Sequence, residues 1–406
     1  MKHVVLHTIP AWGHAKPLLS LMVLLAESAE DVVLTYLTSG LIHPLITQHL
    51  NKLARDRFVK IQARMNIIDI SGSSIDIFNC PEFSPAVDAL WRSGTLTCRT
   101  TNREFAALPK PTLAIMDPIA PYTTTEIRKV VPSRTELPII GWLSFTLGET
   151  MFEWAPKELG GNGEIWEKAN AQTDEDPTDV GFRLYSAADG LLLPSPPGYP
   201  HLYDYERFPQ TSTVPPQIPV IGLNAGWKNH RAFDGVISVT SSLVEKEAID
   251  AYRETWLGKE RESWCLGWVG GSVDFQEGER EGETMEFLDK MQKEFGDKSA
   301  VYISFGTTFF PSDPAKLSVF ISELITSRTP FILNSPSPAA VLPDELLAQI
   351  RESGFGYHTK WVSQEVVLAH PATGWFVTHG GWNSVQEAYK FRVPLYALPF
   401  ILLLVA

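Results

Sequence analysis

Apolar positions along the chain follow two alternating rhythms. Short continuous runs of strand formers, such as VVLHT at 4–8, VVLTYL at 32–37 and TLAIM at 112–116, alternate with longer segments where apolar residues return every three or four positions. The first pattern fits strands buried on both faces. The second fits helices with one sheet-facing side. The strand at Val4–Thr8 leads through the loop IPAWGHAK into a helix predicted to begin at Pro17, a residue suited to a first helical position. Leu18, Leu21, Met22 and Leu25 would face the sheet. Further along, the pattern predicts a strand at Val32–Leu37, a helix at Ile42–Ala54, a strand at Lys60–Ala63, a long helix at Ser84–Phe105 and a strand at Thr112–Met116. Gly148–Asp176, with Trp154 and Trp166, reads as an excursion over the surface, and Tyr199–Pro219 as loop.

A second stretch continues the alternation. Asp234–Thr240 predicts a strand, Ser242–Arg253 a helix and Cys265–Val269 another strand. The polar run Asp274–Glu283 reads as a linker. A helix at Thr284–Phe295 then opens a new series, with strands at Ala300–Phe305, Pro330–Leu333, Gly356–Lys360, Trp375–Thr378 and Val393–Pro399. Strand alternating with helix, twice over, predicts an α/β protein of two Rossmann-like, doubly wound domains facing each other across a cleft. The expected boundaries are 1–268 for the first domain, 269–283 for the linker and 284–406 for the second.

Composition narrows the function. At 406 residues, two cores are the default. A net charge of −13 argues against nucleic acid, whose phosphates require a basic surface, yet leaves room for one diphosphate held by local N–H groups. Cys80, Cys98 and Cys265 are scattered, so neither a disulfide framework nor a metal site is expected, and a reducing, cytoplasmic setting is. No window reaches the length of a membrane-spanning helix, and the N-terminus begins directly with a strand rather than a leader.

The densest chemistry lies in WVSQEVVLAHPATGWFVTHGGWNSVQEAYKFRVPLYALP, residues 361–399. His379 closes a strand, Gly380 and Gly381 allow a tight turn, and Asn383 and Ser384 open a helix whose free N–H groups favour phosphate. Glu387 sits one turn on, placed to accept from paired sugar hydroxyls, and Trp361 offers a flat face for a base. Taken alone, Ser384-Val-Gln-Glu387 also fits an ordinary capping box. In the first half, His14 stands in the loop after the first strand and Asp117 ends a later one. Both therefore fall on the carboxyl edge of one sheet, where ligands bind in this fold class. A carboxylate bonded to one imidazole nitrogen would orient the other as a general base.

Together, Trp361, Gln364, Leu368, His370, Pro371, Gly374, Phe376, His379, Gly381, Trp382, Asn383, Ser384, Glu387, Pro394 and Pro399 match, in order and without a gap, a known signature. The chain resembles the UDP-dependent glycosyltransferases of family 1, which have the GT-B architecture. The resemblance implies that Trp361 stacks on uracil and that Gln364 and Glu387 hold the ribose. It further implies that His379, Asn383 and Ser384 hold the diphosphate, that the Trp382 backbone lies close to the sugar, and that Gly381 belongs to the donor site. Ser304, Gly306 and Thr307 correspond to the family's S-F-G-S/T turn, and Gly13, His14 and Pro17 to its G-H-x-x-P pattern. His14, oriented by Asp117, would then deprotonate the hydroxyl of a small apolar acceptor, which displaces UDP from the sugar with inversion and without a metal or other cofactor. One departure stands out. The family closes its signature with an acidic residue and Gln, and these positions hold Leu403 and Leu404. The resemblance therefore also leads to the expectation of an incomplete second domain, and to an alternative in which the chain is a truncated, inactive relative with weak or no UDP-sugar binding. A nicotinamide dehydrogenase finds no support, because no G-x-G-x-x-G follows a strand in the required context.

Overall fold

The computed structural model describes residues 1–72, 76, 78–171, 174–211, 213–215, 217–258, 261–269 and 282–400. Two parallel sheets organise the chain. The first comprises β1 (Lys2–His7), β2 (Val32–Thr38), β3 (Met65–Asp69), β4 (Leu113–Met116), β5 (Ile139–Leu143), β6 (Gly235–Ser238) and β7 (Glu262–Cys265), in the order β3-β2-β1-β4-β5-β6-β7. The second comprises β8 (Ala300–Ser304), β9 (Phe331–Asn334), β10 (Gly356–Thr359), β11 (Thr373–Thr378) and β12 (Leu395–Ala397), in the order β10-β9-β8-β11-β12. In both, the strand order reverses beside the first strand, so a crevice opens at the carboxyl ends of β1 and β4 and again at those of β8 and β11. Register makes this concrete. His7 lies opposite both Leu37 and Met116, which puts the loop after β1 next to Asp117. Ser304 lies opposite Thr378, which puts the turn after β8 next to His379.

Several sequence expectations need correction. The first helix runs Trp12–Ser28 and contains Pro17 rather than starting there. Ile42–Ala54 divides into a helix at His43–Leu50 and the approach to a second at Arg55–Ile61. Lys60–Ala63 is helical, and the strand follows at Met65–Asp69. The long helix stops at Trp91, because Ser93 turns the backbone to a φ of 55°, and the remainder forms a small hairpin, Leu96–Thr97 with Glu104–Phe105. The segment read as a surface excursion is packed. Trp154 and Trp166 are fully buried on helices at Leu147–Trp154 and Gly163–Ala171, and Gln217–Ala232 forms a further helix beyond the proline-rich loop. Both rings join the apolar core, and Glu245 ties the first of these helices down: this buried carboxylate accepts from the backbone N–H groups of Leu147 and Gly148, at 2.7 and 2.8 Å, and from the Tyr199 hydroxyl at 2.7 Å. A negative charge at a helix N-terminus both satisfies free donors and complements the dipole. Of the expected linker, 270–281 lie outside the described residues, as do Leu403 and Leu404; the helix of the second half begins at Glu283.

The halves meet through apolar packing as well as polar contacts. Trp382 and Val385, from the second half, are buried in the same cluster as Leu18, Met22 and Val239 of the first. The Trp382 indole donates to the Val239 carbonyl at 3.1 Å, and the Gln386 amide donates to the same oxygen at 2.6 Å. Among the described residues, no helix is long and apolar enough to cross a membrane. Replacing Trp382 by Ala removes a large buried ring and one hydrogen bond. The expected cost is about 3–5 kcal/mol, read as a lower thermal midpoint by circular dichroism. An unchanged midpoint would show that Trp382 does not anchor the halves.

Candidate active site

On the first half, the site is built from strand ends and a helix start: His14, expected in the loop after β1, lies in the first turn of the helix Trp12–Ser28. His14 Nδ1 lies 2.9 Å from Asp117 Oδ2, and the Ser144 hydroxyl lies 3.1 Å from the same nitrogen. A carboxylate only accepts, so Nδ1 carries the proton and Nε2 is left as the basic nitrogen. Asp117 is fully buried, while the His14 side chain keeps 20% of its surface exposed. The carboxylate is fixed by backbone donors, Ile119 N–H to Oδ1 at 3.1 Å and Ile9 N–H to Oδ2 at 3.3 Å. The Trp142 indole holds the His14 carbonyl at 3.3 Å. Behind this pair, His7 is buried between the Leu37 carbonyl, 2.9 Å from Nδ1, and the Tyr122 hydroxyl, 2.9 Å from Nε2.

On the second half, the turn after β11 approaches the turn after β8. The imidazole of His379 is wedged between Gly306 and Gly381. A methyl group at either glycine would come within 2.7 or 2.5 Å of the ring. Gly306 also has a φ of +77°, a conformation that disfavours any side chain. Burial lowers the pKa of His379 to about 4, so the ring is neutral near pH 7. The helix that follows runs Trp382–Phe391, capped by the Gly381 backbone and by no side chain. Its first-turn N–H groups therefore lack intrahelical partners. Ser384 is in the third helical position, so the capping-box reading fails. Instead, Gln364 draws Ser384 and Glu387 together, donating to Ser384 Oγ at 3.1 Å and to Glu387 Oε2 at 2.7 Å. Trp361 follows β10 with 47% of its surface exposed. Ser304 is buried at the end of β8, and Thr307 is half-buried one residue past Gly306.

The two groups of residues adjoin. Pro17 has no N–H to give the carbonyl four residues earlier, and that carbonyl, of Gly13, instead accepts from the Asn383 amide of the second half. Lys16 extends from the first helix to Glu387 Oε1 at 2.7 Å and Glu365 Oε2 at 3.2 Å. The sequence reading missed Ser144, Lys16 and Glu365. Ser144 had a signal in the unassigned apolar run PIIGWLS, which forms β5 and ends on the same sheet edge as Asp117. Lys16 had none, since its partners lie more than 340 positions away, and the contact of Glu365 with it spans the same distance. Among the described residues, no cluster of three or more His, Cys, Asp or Glu has a metal-holding arrangement.

Two doubly wound sheets, their halves joined through Trp382, Asn383 and Lys16, define the GT-B class. Structural neighbours agree. The chain superposes on a UGT transferase from Siraitia grosvenorii in complex with UDP with a TM-score of 0.64 at 18% identity, covering 99% of this chain and 81% of that one. It superposes equally on Medicago truncatula UGT71G1 complexed with UDP-glucose, TM-score 0.64 at 20% identity, covering 98% and 80%. Residues 276–402 match the family model described as UDP-glucoronosyl and UDP-glucosyl transferase. Among curated relatives, UDP-glycosyltransferase eriJ of Hericium erinaceus is 31% identical over 215 residues, 50% of this chain and 42% of that protein. An anthocyanidin 3-O-glucosyltransferase of Vitis vinifera is 45% identical over 109 residues, 27% and 23%. The chain thus matches less than half the length of these relatives.

The buried His7 supplies a pH test. Burial, only partly offset by the Leu37 carbonyl and Asp117, lowers its pKa to about 4 from an ordinary 6.5. The unfolded chain takes up the proton first. His7 therefore leaves stability intact above pH 6.5 and erodes it as pH falls toward 4, by about 3 kcal/mol in full. His7→Gln is expected to flatten this part of the acid dependence, measured by urea unfolding from pH 7 to 4. An unaltered slope would show that His7 takes up its proton at the same pH in the folded and unfolded chain.

Proposed function

We propose that the chain transfers a hexose, glucose foremost, from a UDP-sugar to a hydroxyl of a small apolar acceptor, with inversion and without a metal. The observation that carries the reading is the His14–Asp117 pair, with its Nδ1 contact of 2.9 Å, set against the helix start at Trp382. Asp117 stabilises the imidazolium as His14 Nε2 takes the acceptor proton. The acceptor oxygen forms a bond to the anomeric carbon, and the bond from that carbon to the phosphate oxygen breaks, its electron pair leaving with UDP. Negative charge develops on the diphosphate during this step. The free N–H groups at Trp382, Asn383 and Ser384, with donors of the Phe305-Gly306-Thr307 turn, are placed to receive it. His379 is neutral, so it contributes a hydrogen bond rather than a charge.

The remaining donor contacts follow the same logic. Trp361 offers an exposed ring for uracil, Gln364 and Glu387 present polar groups to the ribose, and Gly306 and Gly381 let the backbone close on the phosphates. The halves 1–268 and 284–406 are read as acceptor-binding and donor-binding domains. Phenolic acceptors are the first to test, because the Vitis vinifera relative is an anthocyanidin 3-O-glucosyltransferase. Free cysteines, two of them buried, fit the cytoplasm as the setting. A second reading, UDP binding without turnover, is favoured by Leu403 and Leu404 at the positions where the family grips sugar hydroxyls.

The test is turnover of UDP-glucose by purified protein against phenolic, sterol and lipid alcohols, beside UDP binding by calorimetry. Transfer by the wild-type chain is expected, with His14→Ala lowering kcat by about 10²–10⁴-fold while UDP still binds. Binding without turnover supports the second reading, and transfer unaffected by His14→Ala removes His14 from the mechanism.

A further inference from the structure

We propose that Lys16 is a positioning residue of the donor site, completing from the first half the ribose-binding carboxylate of the second. This rests on the reading above that Glu387 accepts from ribose hydroxyls. Lys16 follows His14 by two positions, yet its ammonium leaves its own half. It donates to Glu387 Oε1 at 2.7 Å and Glu365 Oε2 at 3.2 Å, and the side chains of both glutamates are only 5% exposed. On the far side, Glu365 Oε1 accepts from Lys390 at 3.2 Å, and Glu387 Oε2 accepts from Gln364 at 2.7 Å. Two buried carboxylates bridged by one cation would repel each other and lose their hydration without it. Burial opposes the charge on Lys16, but Glu387 and Glu365 more than offset it and hold the ammonium well above its ordinary range.

A carboxylate oxygen has two lone pairs. Lys16 takes one on Oε1, and Gln364 takes one on Oε2. Each oxygen keeps a second acceptor site, and the two lie side by side on one rigid group. That pair suits the adjacent 2′ and 3′ hydroxyls of a ribose. Lys16 and Gln364 therefore grip Glu387 from both sides and set its plane. Because Lys16 shares a helix with His14, the donor's grip and the position of the base are tied through one element.

The experiment measures dissociation constants for UDP and for 2′-deoxy-UDP with the full chain by calorimetry. The variants are Lys16→Met, Lys16→Arg and the double variant Lys16→Met/Glu365→Gln, which removes the cation together with one charge it balances and so keeps the fold. Lys16→Met is expected to weaken UDP about tenfold and to narrow the preference for UDP over 2′-deoxy-UDP. The double variant is expected to keep the thermal midpoint and show the same narrowing, and Lys16→Arg to recover part of it. An unchanged ribose preference in both Met variants overturns the proposal, as does tighter UDP binding, which would make Lys16 a competitor for Glu387. Failure of the wild-type chain to bind UDP overturns the donor reading itself. Binding that the Lys16 variants leave unaltered overturns this inference alone.

Discussion

The site depends on a missing hydrogen-bond donor. Pro17 sits inside the first helix, where it withholds an N–H from the Gly13 carbonyl. Gly13 is half-buried, so its carbonyl left without a partner would cost some part of the roughly 1–3 kcal/mol of a fully buried group. The Asn383 amide relieves that cost, and it comes from the other half of the molecule. The contact sits next to His14 on one side and beside the glycine turn on the other. A local defect in one helix thereby becomes a fixed meeting point between two sheets. Trp382, adjacent to Asn383, carries the apolar part of the same junction into the first core.

The glycine turn obeys a related constraint. His379 fills the space that side chains at 306 and 381 would occupy, so neither position tolerates even a methyl group without displacing the ring. The ring is thereby held close to both turns, and its burial keeps it neutral. A neutral imidazole between two closely approaching backbones presents a hydrogen bond without a counter-charge, which leaves the charge balance there to the helix start.

Much of this was legible in the residues, for identifiable reasons. Continuous apolar runs such as VVLTYL and TLAIM predict buried parallel strands, and β2 and β4 occupy them. The placement of His14 near Asp117 followed from strand ends alone, since parallel register puts successive carboxyl ends on one edge. Errors arose where tertiary contacts override local pattern. Trp154 and Trp166 lie in a polar, glycine-broken segment that reads as surface, but both rings join the apolar core and Glu245 caps the first helix from a distance. The long helix at Ser84–Phe105 failed at Ser93 and Gly94, where a left-handed turn leads into the hairpin. Pro17 misled because its common role, starting a helix, hid a rarer one. Lys16 was invisible, as no periodicity links it to Glu387.

Under the proposed function, an acidic chain that holds a diphosphate must solve its electrostatics locally. At a net charge of −13, long-range attraction cannot gather a nucleotide donor. Lys16 and Lys390 instead bracket Glu365, so the charges of the two buried carboxylates are largely met within the site. What remains for an incoming phosphate is the partial positive charge of an uncapped helix start, which acts over about one turn. Recognition of this kind is short in range and depends on the two halves being in register. On the proposed reading, a donor gains its full set of contacts only where Lys16 meets Glu387 and the helix that carries His14 meets Asn383 at the other helix start.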